Sequence, residues 1–226
     1  MSESLNARRI RFASAALIVS GVCFVLFPLI RPFFDESSLQ GAALFASSRW
    51  VLAHSLGMAG FLFFALGLMG IYARLRETSS ERGAFVALVL GWIGAALTLP
   101  FFGAEAFSLQ VIGRTVVAQN NFALLPVVNE VRFGPGIFFI GLGLLTLAAC
   151  TVVLAVAIWR SRILSRWSGI PLAAGFVVYI PQLQGSPGFQ PVRVVVGLII
   201  AAGCIWVATT ILRQETKETI SRRSHG

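Results

Sequence analysis

Charged side chains are scarce in this sequence. They make up 12% of the 226 residues, whereas hydrophobic residues make up 57%. Soluble domains carry about 25% charged residues, so the composition excludes an ordinary soluble domain and predicts a chain that lies in a lipid bilayer. The single lysine, Lys217, belongs to the polar carboxyl-terminal tail, which excludes a retinal Schiff base inside the apolar part.

Cysteine and histidine are also rare, and their positions exclude the common metal sites. Cys23, Cys150 and Cys204 each lie in the middle of an apolar run, and no CxxC motif is present. We therefore expect neither a disulfide bridge nor a zinc site. His54 and His225 are the only histidines, so the chain has no HExxH motif and no pair of histidines in its apolar runs for a haem. The sequence thus assigns no metal ligand, no cofactor and no catalytic residue.

Positive charge is present in excess, because the formal net charge is +9. Clusters of basic residues can neutralise the phosphates of nucleic acids. Here, however, the arginines lie at the ends of apolar runs, which is where membrane proteins carry them. We expect membrane lipids as partners and no nucleic acid. Helix faces rich in small residues would also allow a protein partner, or a second copy of the chain, to pack against them.

Six apolar runs predict an all-α fold, a single polytopic transmembrane bundle over residues 1–226. The predicted spans are about residues 12–30, 49–74, 83–112, 136–159, 167–181 and 192–212, followed by a polar cytoplasmic tail at 213–226. The first run is longer than the apolar core of a signal peptide, so we interpret it as an uncleaved helix. The fifth has only about 15 residues, fewer than the roughly 17 to 25 of most spans. Either a full crossing of a locally thinned bilayer or a re-entrant segment fits that length.

Basic residues beside the predicted spans indicate the orientation. Thirteen of them flank one end of the spans, and five, Arg31, Arg49, Arg114, Arg132 and Arg193, flank the other. Cytoplasmic flanks carry more arginine and lysine, so both termini are predicted to lie in the cytoplasm. We expect a multi-pass protein of a bacterial inner membrane.

Small residues recur on one face of the third predicted span. Steps of three and four residues connect Ala87, Gly91, Gly94, Thr98, Phe101 and Glu105. Small residues let helix backbones approach closely in a membrane, so this face is predicted to be the packing seam, with Glu105 pointing into the bundle. On the second span, His54 flanks a comparable seam. That seam consists of Ala53, Gly57, Gly60 and Gly67.

His54 and Glu105 are the only candidates for chemistry inside the apolar mass. Counted from Arg74 and Arg82, they lie 20 and 23 residues along their helices. At roughly 1.5 Å per residue these separations are about 30 and 34 Å, so the two side chains are predicted at nearly the same outer level. The predicted ligand-binding cluster consists of His54, Glu105, Gln110, Tyr179 and Gln182.

Three roles for this cluster remain open. Placing an ionisable group at the centre of a bilayer costs about 2.5 to 3.5 kcal/mol, so the presence of His54 and Glu105 in apolar runs indicates that they have a role. The first interpretation is a non-enzymatic accessory or binding component whose outward-facing polar cluster also locks the helices together. The alternatives are a transporter or sensor of a small molecule or lipid that uses His54 and Glu105, and a membrane enzyme that uses them as an acid–base pair.

Four segments carry a family resemblance: Trp50–His54, Gly67–Tyr72, Gly103–Phe107 and Arg160–Trp167. In them a histidine lies near the start of the second helix, and that helix ends in a segment rich in glycine and leucine. A turn with arginines follows, and an acidic residue lies late in the third helix. This pattern resembles a loose group of uncharacterised bacterial six-helix membrane proteins, over about Trp50 to Gly175. The resemblance implies a six-helix membrane fold and carries no activity with it.

Overall fold

A computed structural model describes residues 2–33, 38–180 and 187–224 of the chain. Over these residues the secondary structure is helical and contains no strand, so the predicted all-α class is confirmed. Ser47 begins α3 as a capping residue, because its hydroxyl accepts a hydrogen bond from the amide of Trp50. The α-helices are α1 Ser2–Ile30, α2 Leu39–Ala46, α3 Ser48–Leu75, α4 Glu81–Gly103, α5 Leu109–Gln119, α6 Leu125–Phe133, α7 Gly136–Ser161, α8 Gly169–Tyr179 and α9 Gln190–Ser224.

Five helical stretches in the described residues are long and apolar enough to cross a membrane. They are Ala7–Ile30, Ser48–Leu75, Glu81–Gln119, Phe122–Ser161 and Gln190–Lys217. Each contains one of the predicted spans. The remaining predicted span, the fifth at 167–181, corresponds to α8, which has 11 residues. At about 1.5 Å per residue α8 is roughly 16 Å long, about half the thickness of the hydrocarbon core, so its length alone does not establish a sixth crossing.

The long helices pack side by side and run in alternating directions. Gly57, Gly60, Gly67 and Gly70 of α3 meet Phe27, Phe24, Leu17 and Ala13 of α1 in that order, which makes the two helices antiparallel. Helix α9 packs on the other side of α1, α4 packs against α7 and α3, and α8 lies between α7 and α9. At one end Arg74 pairs with Glu215, and the Gln214 side-chain amide donates to the Ile163 carbonyl. We call this the terminal end.

The opposite end carries three short helices, α2, α5 and α6, which we call the cap. Residues 39–46 and 125–133 lie between predicted spans and form α2 and α6. The packing of α2 on α5 is close, since a methyl group on Gly113 would lie only 2.8 Å from the Ala46 amide nitrogen. A second hydrophobic cluster joins the cap to α3. It consists of Phe45, Trp50, Leu109 and Val128.

The seam predicted from small residues is buried between α4, α7 and α3. Ala87, Gly91, Gly94 and Thr98 are all buried. A methyl group on Gly94 would approach the Gly143 carbonyl oxygen to 2.9 Å and the Leu147 amide nitrogen to 3.0 Å, both on α7. The thiol of Cys150 on α7 donates to the Ala87 carbonyl at 3.1 Å. The two backbones are therefore in direct contact at this point.

Replacing Gly94 with alanine is expected to lower stability, since the added methyl group must push two backbones apart. Overpacking of this kind costs about 1 to 3 kcal/mol. Cys23, Cys150 and Cys204 are all buried, so a thiol-reactive dye reports thermal unfolding of the purified protein. The matched control is Gly141→Ala, because a methyl group there meets no atom within 4 Å. Equal unfolding midpoints for the two variants would show that the contact is unimportant.

Candidate functional site

A π-helical turn carries Glu105 into the bundle. Pro100 in α4 lacks an amide hydrogen, and the helix widens shortly afterwards into a five-residue π-helix, Ala104–Ser108. The amide of Leu109 donates to the Ala104 carbonyl across this wider turn. Such π-turns occur frequently at functional sites. Glu105 lies in this turn and is 5% exposed.

Glu105 is held by Arg132 of α6. The Arg132 Nε donates to Glu105 Oε1 at 2.6 Å and Nη2 donates to Oε2 at 2.9 Å. Two parallel bonds between a guanidinium and a carboxylate fix both position and orientation, and they are stronger than hydrogen bonds between neutral groups. The pair therefore ties the cap to the π-helical turn.

His54 lies on the other side of the same carboxylate. Its Nε2 is 3.6 Å from Glu105 Oε2, and its Nδ1 is 2.9 Å from the carbonyl oxygen of Trp50. A carbonyl oxygen only accepts hydrogen bonds, so Nδ1 carries the hydrogen in the neutral ring. A second proton would then bind at Nε2, directly opposite the carboxylate. This arrangement gives the site a defined place for an exchangeable proton.

Trp50 connects these groups to the backbone. Its indole Nε1 donates to the Glu105 carbonyl oxygen at 2.7 Å, and its ring is fully buried. The Trp50 and His54 rings lie 4.4 Å apart, and the Arg31 guanidinium carbon lies 4.7 Å from the centre of a Trp50 ring. One tryptophan thus positions the imidazole, the π-helical turn and a second arginine.

A third arginine completes the polar part of the site. The guanidinium carbons of Arg31 and Arg193 lie 4.4 and 4.5 Å from the centre of the Phe33 ring. Cations at this distance are attracted to an aromatic face. Arg193 is 7% exposed although it belongs to the first turn of α9.

These residues surround a cavity of about 470 Å³ between the bundle and the cap. Ligand pockets in proteins usually have volumes of about 300 to 1,000 Å³. The wall combines arginine, histidine and glutamate side chains with aromatic and aliphatic side chains. The lining residues are Phe27, Arg31, His54, Phe101, Phe102, Glu105, Leu125, Pro126, Val128, Asn129, Arg132, Phe133, Ile137, Ile140, Tyr179 and Arg193.

Three of the five residues predicted for the site line this cavity: His54, Glu105 and Tyr179. Gln110 does not line it. Its place in a ligand-binding cluster stays a prediction. Gln182 lies outside the described residues.

The sequence interpretation missed Arg31, Arg132 and Arg193. All three had been counted only as flanking charges on the side with fewer basic residues. That count could have pointed to them. The rule for basic residues explains the excess of arginine on the cytoplasmic side, but it does not explain the five arginines on the opposite side. Three of those five line the cavity.

The described side chains form an anion-binding wall more readily than a metal site. Among them no group of three histidine, cysteine or acidic side chains is close enough to hold a metal ion. Each guanidinium has five N–H donors, so an arginine that already has a partner can still donate to a ligand. The wall accordingly suits a carboxylate, phosphate or sulfonate group with an apolar body beside it.

Comparisons of the chain with protein-family models, curated proteins and solved structures find no match. The structure itself therefore defines the class: an all-helical chain with five helices of membrane-spanning length and apolar composition in its described part.

Breaking the pair between Glu105 and Arg132 is expected to destabilise the protein strongly. Removing one partner of a buried ion pair costs about 3 to 5 kcal/mol, because the other charge stays buried without compensation. Glu105→Gln and Arg132→Gln should each lower the unfolding midpoint, and the double variant should lose less than the sum of the two.

The matched control for these single and double variants is Arg76→Gln. Arg76 pairs with Glu77 at 3.3 Å, but the side chains are 50% and 82% exposed, so the loss should be no more than about 1 kcal/mol. Single variants of Glu105 and Arg132 that unfold at the same temperature as Arg76→Gln would contradict the structural role of the buried pair.

Proposed function

We propose that the chain is a six-span protein of a bacterial inner membrane, with both termini in the cytoplasm, that binds a small amphipathic anion in the cavity beneath the cap. Binding is its function, without catalysis. Membership of the group of six-helix membrane proteins that it resembles is part of this proposal. The single observation that carries it is the cavity, whose wall combines three arginines with apolar rings.

The connection between α7 and α9 supports six spans. Helix α7 ends at the terminal end and α9 begins at the cap end, so the chain has to return across the bundle between these two helices. Helix α8 covers part of this return, and its Tyr179 already lines the cavity at the cap end. The excess of basic residues at the terminal end supports a cytoplasmic location for that end.

Cysteine labelling in intact cells tests the orientation. Asn121→Cys at the cap end is expected to react with a membrane-impermeant maleimide in intact cells, whereas Glu77→Cys at the terminal end should react only after lysis. Both positions are exposed, and the three native thiols are buried and serve as the unlabelled background. The reverse pattern would overturn the proposed orientation.

Charge supports an anionic ligand. Among the described side chains that line the cavity, Arg31, Arg132 and Arg193 are cationic and Glu105 is the one carboxylate. A guanidinium matches the geometry of carboxylate and phosphate groups. The apolar remainder of the wall includes Phe27 and Phe102, which fits an alkyl or ring body.

The geometry favours binding over acid–base catalysis. Each oxygen of Glu105 accepts one hydrogen bond from Arg132, so the carboxylate holds the cap. This structural role is compatible with a binding site beside it, because binding requires no change in the pair. An acid–base reaction would change the charge of the carboxylate and so weaken its pair with Arg132.

Amphiphiles that share one chain and differ in the head group test the proposed ligand class. Decanoate, decyl phosphate and decanesulfonate are expected to raise the unfolding midpoint of the protein in nanodiscs, because a ligand that binds only the folded state stabilises it. Decyltrimethylammonium and decanol should have little effect. Arg193→Gln should reduce the stabilisation by the three anions.

Arg114→Gln is the matched control, since Arg114 is an exposed arginine at the cap end that does not line the cavity. It should keep the response to anions. Equal stabilisation by all five amphiphiles, or the same loss in Arg114→Gln as in Arg193→Gln, would disprove selective anion binding in the cavity.

A transporter or sensor that links binding to a proton is the second candidate. The position of His54 Nε2 opposite Glu105 Oε2 favours it. Protonation there adds a positive charge beside the carboxylate and Arg132, so decanesulfonate should bind more tightly at about pH 5.5 than at about pH 8. Loss of this dependence in His54→Gln would support proton linkage, and its persistence would leave simple binding.

A further inference from the structure

A second concave site lies at the terminal end, away from the cavity. It has a volume of about 330 Å³ and combines one end of α7, the connection to α8 and the turn between α3 and α4. Three of its lining side chains are arginines. The full set is Ser79, Trp159, Arg160, Arg162 and Arg166.

Side chains that donate hydrogen bonds to backbone carbonyls hold the connection between α7 and α8 in place. Arg162 ends α7 in the left-handed conformation, with φ of 60°, which turns the chain sharply. The Ser168 hydroxyl donates to the Ser165 carbonyl at 2.7 Å, and the Gln214 side-chain amide of α9 donates to the Ile163 carbonyl. The connection is therefore anchored to α9, and its arginines have a defined framework.

The positive charge of this site is not balanced by the acidic side chains described at the terminal end. Glu77 pairs with Arg76, Glu215 pairs with Arg74, and Glu81 accepts a hydrogen bond from the Tyr72 hydroxyl. Of the described side chains that line the concave site, none is a carboxylate. Three arginines therefore line a site that suits a negatively charged ligand.

Tryptophan side chains place the site at a membrane boundary. The Trp159 and Trp167 rings lie 4.4 Å apart and perpendicular to each other, and the two residues are 39% and 53% exposed. The Arg166 guanidinium carbon lies 5.7 Å from the centre of a Trp159 ring. Exposed tryptophans of membrane proteins are enriched at the level of the lipid head groups. Arginines and tryptophans therefore meet where a lipid phosphate would lie.

We propose that this concave site binds the phosphate of an anionic phospholipid head group. The three guanidinium groups and the Ser79 hydroxyl donate hydrogen bonds to the phosphate oxygens, and the tryptophan pair packs against the glycerol and the start of the acyl chains. Basic pockets beside membrane helices on the cytoplasmic side are suited to such head groups. The proposal is independent of the ligand in the cavity, which lies at the opposite end of the bundle.

Lipid binding to the full-length protein, titrated and read by native mass spectrometry, tests the proposal. Phosphatidylglycerol should bind more tightly than phosphatidylethanolamine with the same acyl chains. Each arginine near a lipid surface contributes about fivefold in affinity, so Arg160→Gln and Arg166→Gln should each weaken phosphatidylglycerol binding about fivefold. Inorganic phosphate at millimolar concentration should not displace the lipid.

The matched control is the triple variant Arg8→Gln, Arg9→Gln, Arg11→Gln, which removes three exposed or partly exposed arginines at the same end of the bundle. It should keep the preference for phosphatidylglycerol, whereas the triple variant Arg160→Gln, Arg162→Gln, Arg166→Gln should lose it. If that triple variant fails to fold, the two single variants decide. Equal binding of both lipids, equal loss in the control, or displacement by inorganic phosphate would each overturn the proposal.

Discussion

The ion pair between Glu105 and Arg132 is the interaction on which the cap end depends. A carboxylate buried among aromatic rings is costly unless a partner of opposite charge accompanies it. Arg132 supplies that partner with two parallel hydrogen bonds, so α6 has one orientation relative to the π-helical turn. Since α6 forms part of the cavity wall, the same pair also sets the height of the cavity.

The bundle below the cap is held by close packing of small residues and rings. Glycines on α3 and α4 let α1 and α7 approach to backbone contact. Phe24, Phe61, Phe102 and Tyr179 pack edge to face beneath the cavity, with ring centres 5.0 to 6.0 Å apart. Aromatic pairs favour such geometries. The floor of the cavity is therefore apolar, and the polar groups are confined to the cap end.

Helix periodicity was sufficient to predict the seam and the level of the site. Gly94 and Thr98 follow each other at helical spacing, and counting residues from the arginine turn placed His54 and Glu105 at one height. Those inferences use only the geometry of a single helix. For the same reason the fold class and the long apolar helices could be predicted.

The partners of Glu105 could not be predicted by the same means. Arg132 lies in α6, between two predicted spans. The position of α6 over the bundle depends on packing within the cap, including that of α2 on α5, which the pattern of a single helix does not reveal. The π-helical turn depends on which carbonyl each backbone amide is hydrogen-bonded to. Many sequences that contain proline form a different pattern of hydrogen bonds.

The order of the residues along the chain has a consequence for biosynthesis. Arg132 follows Glu105 by 27 residues, whereas Trp50 and His54 precede it. The pair between Glu105 and Arg132 therefore cannot form until α6 has been synthesised. A chain that stops before α6 would keep Trp50 and His54 beside the π-helical turn but would lack the guanidinium that holds the carboxylate.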